Sequence, residues 1–124
     1  MQKARAQAVR WEHIEADSPL PGVHRKRIVG QEAMISRFEL ERGSHVPTHS
    51  HANEQFACVL SGRVRFTVGV PELDEEVLEV VGGGVLYLPA HVPHAARALE
   101  DSIVMDVFAP VSEDTGVDRK ASPG

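Results

Sequence analysis

An all-β barrel or sandwich is the fold this sequence predicts, and three observations carry that expectation. Apolar residues alternate with polar ones in several short segments. Chain breakers separate those segments at regular intervals. No stretch shows sustained helical periodicity. Alternation at period two puts one row of side chains on each face of an extended strand, so one row can be buried while the other meets water.

The segments follow in chain order. Residues 1–10 have the only helical character, and it is weak. Met34, Ser36, Phe38 and Leu40 oppose Ile35, Arg37 and Glu39. In the stretch from Gln55 to Leu60, Ala57 and Val59 share the face of Gln55, while Phe56, Cys58 and Leu60 form an apolar row on the other side. A monomer would not leave that row wet, which suggests a homodimer surface. Val64, Phe66 and Val68 oppose Arg63, Arg65 and Thr67. Val77–Val81, Val85–Leu88 and Ile103–Phe108 are short and rich in β-branched or aromatic residues. The breakers are Ser18–Gly22, Glu41–Gly43, Ser61–Gly62, Gly69–Pro71, Gly82–Gly84, Pro89 and Pro93. Gly82-Gly-Gly84 lacks a following Lys-Ser/Thr and helix, so it reads as a turn and not as a phosphate loop.

With 124 residues, one domain spanning 1–124 is expected: a barrel over about 9–111, with residues 1–8 and the polar tail 112–124 flexible. The net charge of −5 excludes the basic footprint of a nucleic-acid binder. One cysteine, Cys58, excludes a disulfide framework, and its parity, opposite to that of the histidines discussed next, makes it a packing residue. No apolar run approaches a membrane span, and the N-terminal residues lack a secretion-signal core, so a cytoplasmic protein is expected.

Chemistry concentrates in two places. His49 and His51 are two residues apart, so on an extended chain both imidazoles project to one side, with Gln55 at the same parity and Glu54 pointing away. An isolated pair of this kind is more often incidental than metal-bound. A further histidine, His94, follows Gly83 and Pro89 in the second place. His45 and His91 read as surface or rim residues, and His13 and His24 as solvated.

The two stretches together resemble the motifs of the cupin superfamily. Gly43, His49, His51 and Gly62 match its first motif, with Gln55 in the glutamate slot; Gly83, Pro89 and His94 match the second, with His91 and Ala98 replacing a glycine and an asparagine. The resemblance implies a double-stranded β-helix, or jelly roll, with a divalent metal ion (Zn, Ni, Fe, Mn or Co) held by His49, His51, Gln55 and His94. A neutral amide in place of a carboxylate leaves more of the metal's charge uncompensated, which favours a small anionic substrate.

Over about residues 9–114 the chain is similar to KdgF-type cupins, which open 4,5-unsaturated uronate monosaccharides from pectin and alginate to linear 5-keto-4-deoxyuronate. That similarity implies the same reaction here. Asp106 shares parity with Val104 and Phe108, placing it on an apolar inner face where burial would raise its pKa, and it is the candidate proton carrier. Phe108 would line the substrate pocket. The family pattern continues to an arginine four residues past that phenylalanine, and here the position is Ser112. Arg25, Lys26 or Arg37 would then have to hold the substrate carboxylate. Two alternatives stand beside this reading: another metallo-cupin enzyme, such as a dioxygenase or isomerase of a small carbonyl compound, and a non-catalytic metal- or ligand-binding cupin.

Overall fold

The computed structural model describes residues 5–112 together with Thr115 and Val117. Ten strands form two antiparallel sheets: β1 (Asp17–Leu20), β2 (Val23–Val29), β3 (Met34–Leu40), β4 (His45–His49), β5 (Glu54–Ser61), β6 (Arg63–Val68), β7 (Glu76–Val81), β8 (Val85–Leu88), β9 (His94–Ala98) and β10 (Ser102–Ala109). The six-stranded sheet runs β1-β2-β3-β10-β5-β8 and the four-stranded sheet β4-β9-β6-β7. This is the jelly roll expected.

The central triplet β3-β10-β5 shows why these segments are strands. On β10, Ser102, Val104, Asp106 and Phe108 are buried and alternate with half-buried Ile103, Met105 and Val107. Their partners keep the same parity: Val104 lies between Phe38 and Val59, and Asp106 between Ser36 and Ala57. A one-residue slip would turn all of these side chains to the wrong face, so the pattern fixes the register. Inward side chains from both sheets (Val23, Phe38, Leu40, Val59, Val64, Phe66, Ala98 and Val104) meet in one core.

Gly62 makes the β5–β6 corner possible. Its φ is +90°, and a Cβ there would run into the Ser102 hydroxyl and the Asp101 carbonyl. Only glycine meets both conditions at low cost.

Two expectations need revising, and one pair of strands was not anticipated. Residues 5–10 form no helix; the only helical turn among the described residues is the 3-10 turn Trp11–His13. Residues 1–4 lie outside the described residues, as does most of the tail. Yet Thr115 and Val117, within the stretch expected to fray, are buried, and Val117 belongs to the core. Strands β1 and β2 had no clear alternation in the sequence because β2 carries arginines at two of its inward positions. Arg25 there is only 3% exposed, its charge met by Asp17.

Candidate metal centre

The two sheets bring His49, His51 and His94 together at one end of the barrel. His49 ends β4 and His94 begins β9, and the two are directly paired across those strands. His51 lies in the corner where the chain leaves the four-stranded sheet for β5 of the other. The His49–His51 pair therefore does not ride one continuous strand. The convergence that parity suggested is reached through a corner. Ring centroids are 4.3 Å apart for His49–His94, 5.0 Å for His51–His94 and 5.7 Å for His49–His51. One nitrogen from each ring lies within 4.8 Å of the others, so the three could hold a metal ion.

Backbone geometry selects which nitrogen that is. The Nδ1 atoms of His49, His51 and His94 lie 2.8, 3.0 and 2.9 Å from the carbonyl oxygens of Pro47, Asn53 and Val92. A carbonyl only accepts, so each Nδ1 carries the proton and each Nε2 presents a lone pair. The Nε2 of His94 is buried and has no hydrogen-bond partner. Burial, with His49 as the next contribution, pushes His94 down to about 4, so it is neutral near pH 7 and ready to ligate.

Gln55 lies beside the three histidines. Its Oε1 lies 3.1 Å from His51 Nε2. With Nδ1 protonated, both of these atoms are acceptors, and a cation between them resolves the contact. The amide also hydrogen-bonds Asp106, and since a carboxylate accepts, its NH₂ points there and its oxygen toward the histidines. Glu54 faces outward and accepts a hydrogen bond from the Tyr87 hydroxyl. A donor set of three imidazole Nε2 atoms and one amide oxygen suits a divalent transition metal.

Asp106 stands next to this group. It is 8% exposed, burial pushes its carboxyl up to about 7 against the opposing Gln55 hydrogen bond, and its Oδ1 has no partner. Phe108 is buried, with its ring 5.6 Å from that of His51. His49, His94, Gln55, Asp106 and Phe108 all line one cavity of about 50 Å³, whose other walls include Phe38, Phe66 and Val117.

The arginines are elsewhere. Arg37 is on the outer face of β3, bonded to Glu39 at 3.0 Å, because its parity is opposite to that of Ser36 and Phe38. Arg25 points inward but is engaged by Asp17 through two hydrogen bonds of 3.0 and 2.6 Å. It lines a separate groove with Arg27 and Ser112. Lys26 donates to the Trp11 carbonyl at 2.8 Å. None of these cations lines the histidine cavity. His24 bonds Ser18 and Glu41, while His13, His45 and His91 are exposed.

Asn53 escapes any reading of the sequence pattern. It is fully buried, its carbonyl orients His51, and its side-chain amide donates to the Pro110 carbonyl. Asparagine's aptitude for corners, at the point where β4 gives way to β5, was the available signal.

A jelly roll that brings three histidine nitrogens within 4.8 Å of one another is a barrel built to be able to hold a metal ion. The cupin domain family matches residues 36–109, and the chain belongs to that family. An uncharacterised protein of Streptomyces coelicolor is 30% identical over 105 residues, covering 83% of this chain and 95% of its own. KdgF from Halomonas sp. superposes with a TM-score of 0.72 at 26% identity, covering 83% of this chain and 94% of that one. An RmlC-like cupin from Shewanella frigidimarina gives 0.77 at 24% identity, covering 92% and 98%. The oxalate decarboxylase of Bacillus subtilis gives 0.80 at 18% identity, but this chain spans only 32% of it. No helix among the described residues is long and apolar enough to cross a membrane.

Proposed function

We propose that this metallo-cupin opens and tautomerises 4,5-unsaturated uronate monosaccharides to linear 5-keto-4-deoxyuronate, a cytoplasmic step in pectin or alginate breakdown. The observation that carries the reading is Asp106: a buried carboxyl with one unpartnered oxygen, hydrogen-bonded to Gln55 in the histidine cavity. The similarity to KdgF over 83% of this chain supports it.

His49, His51, His94 and Gln55 would hold a divalent metal, which supplies a positive charge to orient the substrate's carboxylate and ring oxygens and to offset developing negative charge. Asp106 takes the proton of the anomeric hydroxyl as the bond from the anomeric carbon to the ring oxygen breaks. An aldehyde forms at one end and an enolate at the other. The enolate becomes a ketone when Asp106 returns that proton to the neighbouring carbon. No net proton is gained or lost, and a carboxyl whose pKa lies near 7 serves both directions. Phe108 packs beside His51 and excludes water from that side.

A second reading has its own support. Beyond the ligands and Asp106, every lining residue of the cavity is apolar, among them Phe38, Leu40, Val46 and Val104. Such walls offer no partners to sugar hydroxyls and suit a small enolisable carbonyl compound, as an isomerase or dioxygenase of this family would take.

The test is spectroscopic. Metal-loaded protein mixed with unsaturated galacturonate should abolish the ultraviolet absorbance of the conjugated double bond faster than a protein-free control. Asp106→Asn should retain metal and lose roughly 10²–10⁴-fold in rate. Equal decay with and without wild-type protein would leave the second reading standing alone.

A further inference from the structure

All but one of the residues that line the histidine cavity stand on strands of the two sheets. The exception is Val117, which lies beyond the end of β10 and outside every strand. It is 8% exposed and belongs to the same core as Phe38, Leu40 and Val64. Thr115, two residues before it, is buried as well. From Ser112 to Gly124, Val117 is the one branched apolar side chain. Past the barrel, then, the chain sends a single aliphatic group back into the cavity that His49, His94, Gln55 and Asp106 share.

The cavity so closed is small. Its volume of about 50 Å³ holds roughly three to five waters at ~10–15 Å³ each. A 4,5-unsaturated uronate has about twelve heavy atoms, more than twice that number. The strand residues are poorly placed to make room. Phe38 and Val104 sit on β3 and β10, each hydrogen-bonded to a neighbouring strand on both sides, so moving them breaks the sheet. Val117 is held by burial outside the sheets, the kind of attachment that opens locally while the rest of a fold stays intact.

We propose that Val117 sets the size of ligand this metal centre admits. Seated, it limits the centre to anions of a few atoms. Withdrawn, it opens the barrel interior to a sugar ring. On the reading of the site as a metal centre that takes a uronate, on which this rests, withdrawal of Val117 precedes ring opening. Only the fraction of molecules with Val117 out binds the sugar, and the apparent affinity falls by that fraction. The close apolar walls that suit a small carbonyl compound belong to the seated form.

Cobalt(II)-loaded protein has a visible spectrum that responds to ligands, and two probes separate the sizes: azide, with about three heavy atoms, and saturated galacturonate, with about thirteen. Saturated galacturonate lacks the double bond, so binding is read apart from turnover. Val117→Ala should bind galacturonate at least about 10-fold more tightly than the wild type does, and azide within about twofold. In the wild type, the rate of galacturonate binding should level off with concentration at the rate of withdrawal, while that of azide rises linearly. Should Val117→Ala fail to fold, the wild-type rates decide. Equal galacturonate responses in the two folded proteins, or a gain shared by azide, overturn the proposal. So does a wild-type galacturonate rate that is absent or rises linearly. A protein with no cobalt spectrum loses the metal centre as well, whereas a cobalt spectrum with any of those results removes the role of Val117 alone. Failure to consume unsaturated galacturonate counts against the ring-opening reaction and leaves these binding results to stand by themselves.

Discussion

Gln55 is the residue at which the sequence and the geometry say the most to each other. An isolated glutamine four residues after a histidine is chemically mute. Its meaning comes from the fixed tautomers around it, because three Nδ1–H groups committed to carbonyls leave only lone pairs to face its oxygen. Removing that oxygen should weaken the site without collapsing the fold, since the three imidazoles remain oriented by the backbone. Gln55→Ala is expected to bind metal at least about 10-fold more weakly, the scale on which even supporting groups matter at metal sites. Elemental analysis after dialysis against competing chelator measures it. Wild-type occupancy would show that the amide oxygen is not a ligand. Asp106 could be placed from alternation, on a strand whose inner row is otherwise apolar, while the three histidines were placed by the resemblance of their two motifs to the cupin family. Asn53 could not, because its task is to shape a corner, and corners follow no period.

At the scale of elements, the strands with clean alternation were legible and β1 and β2 were not. Arg25 occupies an inward position where the pattern calls for an apolar residue, and Asp17 on the neighbouring strand satisfies it. A periodicity reading cannot see a partner eight residues away. The same pairing removes Arg25 from the substrate role expected for it, and Arg37 fails that role through strand parity alone. The Arg25 hydrogen bond holds the Asp17 carboxyl below its ordinary value. A carboxylate depressed in the folded state stabilises the fold above the unfolded value and ceases to do so as pH falls through the folded one. Asp17 is 49% exposed, so water screens much of the effect, and about 1 kcal/mol is the expected contribution. Asp17→Asn should therefore lower the melting temperature by a few degrees at pH 7. The difference should shrink once the pH drops below about 4. A gap that persisted unchanged into acid would assign the loss to packing and not to charge.

For the whole molecule, a metal ion at the candidate centre would be a clasp between sheets: His49 and His94 come from the four-stranded sheet and Gln55, the proposed fourth ligand, from the six-stranded one. An ion bound there stabilises only the closed barrel, since the unfolded chain offers no assembled site. At a free metal concentration about 1,000-fold above the dissociation constant, that linkage is worth about 4 kcal/mol. The histidines also set its pH range. In the metal-free fold, His94 titrates near 4, against an ordinary value of 6.5. The unfolded chain thus takes up the proton first, and the apo fold keeps its full stability above about 6.5 and loses it as the pH falls toward 4. Metal binding needs the same neutral imidazoles, so both contributions weaken in the same acidic window. Melting curves with and without chelator should differ by more than about 10 °C at pH 7.5 and converge as the pH is lowered to 5, while the chelated protein itself melts earlier at each step down. If chelation leaves the melting temperature unchanged at pH 7.5, no ion bridges the two sheets, and His94 is held neutral by its burial and by His49 beside it, without a metal.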